Sequence, residues 1–272
     1  MNINIPSENV LISRDKQIKA IQDLYWKVKE LSEGSDNGAV EELQQKLSNA
    51  NSEIYTLKQA IGNLGGSVTY TFPDTTTNKS FTSLLGNNGT VKLSEDVTTG
   101  RYGAGVIASN KTTLNLNGHD LTCTNAGNYG VVMARGTQEI TITGKGTIDA
   151  GTGICIECNS ANATINLKGT TTTYQTDRPN AELIYCYAGT INISGGTFKN
   201  KGSKFLLNCY DANYRNSTAK IIVTGGKFYD FDPANNAAEG ENTSYVPEGY
   251  VSVASTVIED DGEHTVYTVK KA

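Results

Sequence analysis

The stretch TINISGGTF at residues 190–198 comes back some thirty residues later as KIIVTGGKF at residues 220–228, and this repetition constrains the fold more than any other feature of the chain. Three earlier relatives, TTLNLNG ending at Gly118, EITITG ending at Gly144 and ATINLKG ending at Gly169, align on the closing glycine at a period of 25 to 30 residues. A unit of that length buries one face only against its neighbours, so a run of such units stacks.

Each copy alternates apolar and polar residues, the rhythm of a strand with one buried face. Counted back from the glycine, Leu114, Ile140, Ile165, Ile191 and Ile221 are expected to form one inward column and Leu116, Ile142, Leu167, Ile193 and Val223 a second. Asn115, Thr141, Asn166 and Asn192 then turn to solvent, and Ile222 breaks that polar pattern. A second set of strands is expected at residues 131–133, 154–158, 183–187 and 206–210. Gly, Asn and Thr fill the connections, where Gly and Asn tolerate the positive φ of tight corners. Coils of this length with several short parallel strands read as a parallel β-helix. Five of them at ~4.8 Å each would stack to about 25 Å.

Ahead of the repeats the rhythm changes to steps of three and four: Val40, Leu47, Ile54 and Ile61 alternate with Leu43, Ala50, Leu57 and Leu64. That stripe is the seam of a coiled coil. A helix of about 25 residues, near 37 Å long at 1.5 Å per residue, buries nothing alone, so the seam predicts a homo-oligomer. Residues 14–31 read as another helix with a wider apolar stripe and the only Trp, Trp26. Such a surface suits docking on a partner, or packing as an antiparallel hairpin on the next helix. The terminal MNINIPSENV, with Ile3 and Ile5, reads as an anchor peptide that orders on binding.

The whole chain is therefore read as mainly β, a parallel β-helix preceded by an α-helical coiled coil. Residues 1–33 are the anchor peptide and helix, 34–66 the coiled-coil stalk, and 67–100 a connector and N-terminal cap with Phe81, Leu84 and Leu85 on a short helix. Residues 101–232 are the β-helix and 233–272 a C-terminal cap segment.

The net charge of −5 and the absence of a Lys/Arg cluster argue against a nucleic-acid surface. No apolar run approaches the ~20 residues needed to span a bilayer, and the N-terminus lacks the basic start and apolar core of a signal peptide, so a soluble chain made in a cytoplasm is expected. Five cysteines, an odd number without secretory context, are expected to be reduced. Cys155 and Cys158 form a lone C-x-x-C, but residues three apart in a strand point to opposite faces. Cysteines buried inside a coil, Cys186 and Cys209 above all, are the better reading.

Residues 81–232 resemble the pectate-lyase-like right-handed β-helix superfamily, and the order of anchor, coiled coil and β-helix is similar to bacteriophage virion fibres. The tail GGKFYDFDPANNAAEGENTSYVPEGYVSV, residues 225–253, resembles a terminal segment of structural proteins of phages that infect gut Bacteroidetes. The resemblance implies a virion protein, a head fibre in preference to a tail fibre, attached to a capsid or tail protein through its N-terminus. It also implies a trimer, whereas Val and Ile at a with Leu at d favour two strands; a parallel homotrimer is the expectation, because large β-helical domains bury more lateral surface than a short seam.

GKGTIDAGTG, residues 144–153, resembles a structural rung of β-helical glycoside hydrolases, without the catalytic pieces that follow it there. Such hydrolysis needs two carboxylates flanking one bond, and Asp120, Glu139, Asp149, Glu157 and Glu182 are dispersed over the coils. Arg101, Arg135 and Arg178 have no evident acidic neighbours, His119 reads as a corner residue, and His264 lies in a terminal hairpin. No catalytic, metal or cofactor site is expected, and the chain is read as a structural protein rather than a polysaccharide depolymerase. If Ile184, Cys186 and Cys209 face inward, Tyr185, Tyr187 and Tyr210 face outward. There they contact either a neighbouring subunit or a host-surface glycan, since aromatic faces stack on sugars.

Overall fold

The computed structural model describes residues 37–73, 80–99, 103–104, 110–124, 129–177, 182–200 and 205–272. The anchor residues Ile3, Ile5 and Trp26 and the helix expected over residues 14–31 lie outside them. The chain divides into two units, residues 1–60 with 75–78 and residues 61–74 with 79–272, and the second holds a parallel β-solenoid of about five turns.

Helix α1 (Asn37–Asn63) carries the predicted seam. Val40, Leu43, Leu47, Ala50 and Ile54 are half-buried, whereas Leu57, Ile61 and Leu64 are 56%, 39% and 89% exposed. The buried residues of the helix include Asn51, Tyr55 and Gly62, all off the a/d stripe. The helix is thus present with the far half of its apolar stripe open; a coiled coil needs further copies of the chain.

The solenoid opens with β1 (Thr69–Phe72), helix α2 (Phe81–Leu85), β2 (Gly89–Leu93), β3 (Val97–Thr99), β4 (Gly103–Ala104), β5 (Lys111–Asn115) and β6 (Leu121–Cys123). It continues through β7 (Gly130–Ala134), β8 (Glu139–Thr143), β9 (Gly146–Asp149), β10 (Ile154–Leu167), β11 (Thr172–Thr176) and β12 (Ile184–Asn200). The last coil holds β13 (Leu207–Cys209), helix α3 (Asp211–Arg215) and β14 (Ala219–Tyr229), followed by a hairpin of β15 (Tyr250–Glu259) and β16 (Gly262–Lys271).

Three parallel walls result. The first stacks β1, β2, β5, β8, the end of β10, the middle of β12 and the start of β14. The second stacks β3, β6, β9, β11 and the ends of β12 and β14. The third stacks β4, β7 and the starts of β10 and β12, then β13.

All ten predicted ladder residues are buried, nine with no exposure at all and Ile221 at 5%. Their register needs one correction. Leu114 lies opposite Ile142, not Ile140, and Thr112 takes the place opposite Ile140. From Ile140 onward the columns run as expected, Ile140–Ile165–Ile191–Ile221 and Ile142–Leu167–Ile193–Val223. The first copy simply continues two residues further before its glycine corner. A two-residue slip keeps every side chain on its own face, so alignment on the glycine could not reveal it. Each buried aliphatic side chain contributes roughly 1.5–3 kcal/mol.

Inside the second wall Tyr174, Phe198 and Phe228 stack in consecutive coils, with centroids 4.9 and 4.7 Å apart and planes within 6°. That spacing is the inter-strand distance itself. The stack explains the GG pairs of the opening repeat: Gly196 and Gly226 have φ of 108° and 113°, and a Cβ at Gly196 would sit 2.9 Å from the Tyr174 ring. Inside the third wall Cys158, Cys186 and Cys209 form a column. All five cysteines are free and buried. Cys155 is buried too, although it points away from Cys158, because it lies at a corner where its thiol reaches the carbonyls of Ile148 and Gln175.

Both ends of the stack are sealed. At the start Leu84 and Leu85 of α2 are fully buried, and the Leu85 carbonyl accepts from Asn110 Nδ2 at 2.9 Å while Asn110 Oδ1 accepts from Gln138 Nε2 at 2.8 Å. At the far end all three walls find partners in residues after β14. Glu239 Oε1 accepts from Cys209 N on the third wall, the Tyr245 carbonyl accepts from Val223 N at 2.9 Å on the first, and β16 pairs antiparallel with β14 on the second. An open last coil would leave those strand edges unpaired.

Candidate functional site

Strand alternation places the third wall's tyrosines outside. Ile184, Cys186 and Cys209 are buried, so Tyr185, Tyr187 and Tyr210 take the opposite face. Because Cys186 stands opposite Cys209, the next residue of each strand also meets its neighbour one coil away. Tyr187 and Tyr210 stack with centroids 5.0 Å apart and planes at 23°, and they are 41% and 43% exposed. Asn213 of α3 fixes the edge of this pair by donating to the Tyr187 carbonyl at 2.6 Å.

Beside the pair the wall is polar and partly closed. Tyr185 stands between Glu157 and Asn208 in register, and Asn208 Nδ2 donates to Glu182 Oε1 at 2.9 Å. Glu157 is only 3% exposed; its Oε2 accepts from Gly130 N at 2.9 Å and its Oε1 from Asn159 Nδ2. Burial, then the charges of Glu182 and Glu157, push the Tyr185 hydroxyl strongly upward, so it stays protonated. The acids read as dispersed in the sequence are therefore not all dispersed: Glu157 and Glu182 flank one tyrosine. The signal was the coil period itself, which sets Glu157 one coil before Tyr185. Two stacked rings with acceptors and amide groups beside them offer a sugar an apolar platform and hydrogen-bond partners.

A second cluster was not anticipated. A groove of about 450 Å³ on the second wall is lined by Gln175, Asp177, Lys199, Tyr229, Glu259 and His264, among others. Lys199 Nζ reaches Glu259 at 2.7 Å and lies 4.3 Å above the Tyr229 ring, whose hydroxyl donates to Glu259 Oε1 at 2.7 Å. His264 Nδ1 meets Asp230 Oδ2 at 2.7 Å and its Nε2 meets Asp261 Oδ1 at 3.1 Å. The bond to Asp230, then that to Asp261, raises the His264 pKa, and Lys199 followed by Tyr229 lowers that of Glu259. These groups hold one another across the junction between β12, β14 and the hairpin. Chemically they form a clasp, since Asp230, Glu259 and Asp261 are each engaged by a neighbour.

The remaining candidates do not converge. Arg101 and Arg178 lie outside the described residues. Arg135 Nε donates to Met133 Sδ at 2.9 Å, Asp149 accepts from Gly151 N and Gln175 Nε2 at 2.7 Å each, and Glu139 pairs with Lys111 at 2.8 Å. His119 stands at a corner 3.3 Å from Asp96. Asn166, expected on a solvated face, is only 9% exposed, because Asn192 Nδ2 donates to its Oδ1 at 2.9 Å and the adjacent coils cover it. Among the described residues no group of three or more His, Cys, Asp or Glu could hold a metal ion, and no helix is long and apolar enough to cross a membrane. Comparison with known protein families, with curated proteins and with solved structures finds no match.

Proposed function

We propose that this chain is a structural appendage of a phage particle, a head fibre in preference to a tail fibre, anchored through its N-terminus and displaying the solenoid outward for adhesion to a host-surface glycan. The observation that carries the adhesive part is the exposed Tyr187–Tyr210 stack. Strand β7, the starts of β10 and β12, and β13 supply a wall whose interior is committed to packing, yet its outer side leaves two aromatic rings in solvent beside Glu182 and Asn208. The virion part rests on the resemblances of the tail and of the domain order given above. Oligomerisation through α1 rests on the a/d stripe and on the exposure of Leu57, Ile61 and Leu64. In this reading the protein is not an enzyme, and the hairpin groove fastens the cap.

Two measurements test it. On a glycan array, Tyr187→Ala and Tyr210→Ala each weaken binding by about tenfold or more, worth ~1.4 kcal/mol, with little change in stability because both rings are exposed. Binding that is absent from the parent chain, or unchanged in both variants, overturns the adhesive reading. Immunogold labelling of intact particles locates the protein, and particles free of it overturn the virion assignment.

A further inference from the structure

The C-terminal hairpin ends the sheet on an unusual strand. Among the described residues β15 pairs with β16 alone, so beyond Tyr250, whose N–H donates to the Pro247 carbonyl, its outer edge offers unpaired N–H and C=O groups from Ser252 to Ile258. Sheet edges of that length are ordinarily blunted by a charge, a proline or a bulge. Here residues 250–258 read YVSVASTVI, with neither charge nor proline, and Val251, Val253 and Ile258 are 40%, 42% and 82% exposed.

We propose that this edge is an interface with a second copy of the chain, in which two β15 strands pair antiparallel about a two-fold axis centred on Ala254. The register follows from three facts. The Gly249 carbonyl accepts from Ala272 N, so odd-numbered residues of the strand turn their backbone bonds toward β16, and Ser252, Ala254, Thr256 and Ile258 turn theirs outward. A two-fold contact is isologous and keeps each side chain on its own face, so residues must meet partners of like parity. Centred on Ala254, Val251 meets Val257, Tyr250 meets Ile258, Val253 meets Ser255, and Ala254 meets itself. Glu259 then falls just beyond the paired segment. Centring one residue later would set Glu259 against Val251, an apolar partner for a charge, and the strand favours the first register.

A second copy fits this edge better than an unrelated peptide because the sequence is its own complement there: small residues at the middle, apolar ones toward both ends, and no like charges opposed. The contact adds to whatever number of subunits α1 gathers.

The test is cysteine cross-linking of the full chain with a short bis-maleimide, which the five native cysteines allow because all are buried. Ala254→Cys is expected to give a two-chain band in denaturing gels. Val251→Cys is expected to give none, since its two copies lie ~20 Å apart at about 3.4 Å per residue. Adding Val253→Lys and Ser255→Lys to the Ala254→Cys chain sets lysines against one another and removes the band, while a cooperative urea transition shows that the chain is still folded. A folded Ala254→Cys chain that does not cross-link, or a Val251→Cys chain that cross-links equally well, overturns the proposal. Neither outcome touches the glycan reading of the tyrosine wall.

Discussion

The Phe198 ring lies flat on that of Tyr174, centroids 4.9 Å apart and planes 6° from parallel, and Phe228 continues the stack on its other side. Phe198 is therefore the middle of a column that ties three coils together. Phe198→Ala is expected to cost about 3–5 kcal/mol, read as a lower urea midpoint, and a cost below that of an exposed substitution would show the column to be dispensable. Gly196→Ala should cost about 1–3 kcal/mol, because the positive φ strains any L side chain there and its Cβ would press on the Tyr174 ring.

The aliphatic ladder gives a sharper contrast. Ile165→Asp and Ile191→Asp each place an unpaired charge at a site of 0% exposure, which prevents folding or neutralises the group. Asn166→Asp, on the outer face, costs less. Asn166 Nδ2 donates to Glu139 Oε1 at 3.3 Å, and a carboxylate in its place loses that bond and faces a like charge, for about 1–2 kcal/mol. Ile222→Thr, at an exposed outer position, stays within about 0.5 kcal/mol of the parent. Thermal melts of the set check the assigned faces.

The hairpin clasp should respond to pH from two sides. His264 has its pKa raised above 6.5 by Asp230 and Asp261, so its contribution is complete below pH 6.5 and fades as pH rises through the raised value. Glu259 has its pKa lowered below 4.5 by Lys199 and Tyr229, so its contribution is complete above pH 4.5 and fades as pH falls through the lowered value. The hairpin is thus fastened best between pH 4.5 and 6.5. Amide exchange of β15 and β16 measures this, and His264→Gln should flatten the alkaline side alone.

Subunit number is tested on the Val253→Lys, Ser255→Lys chain, where edge pairing does not add to the mass. Light scattering is expected to give three times the 29.1 kDa chain. A mass near twice that value refutes the trimer and makes the a/d residue types the better guide. Leu57→Glu with Ile61→Glu, both on the open part of the stripe, should bring the mass down to one chain; an unchanged mass would place the oligomer contact elsewhere than the seam.

Much of the solenoid was legible in the sequence because each strand obeys a local rule. The two-residue rhythm names which of Ile165, Asn166 and Leu167 turn inward, and the 25-to-30-residue period brings successive copies together. The same rule placed Tyr187 and Tyr210 outside. It could not fix the register of Leu114, because a slip of two residues leaves the alternation unchanged.

What only the tertiary structure decided are contacts between elements that share no repeat. Nothing local in the segment after β14 tells that Glu239 caps Cys209, that Tyr245 caps Val223, or that His264 and Glu259 close on Asp230 and Lys199. These pairs bridge 22 to 60 residues, and their partners are set by where the last coil leaves its edges unpaired. The sequence by itself determined the stack and its inward face, since periodicity is a property of the chain. The tertiary structure determined how the stack ends, since an unpaired edge exists only once the coils have formed.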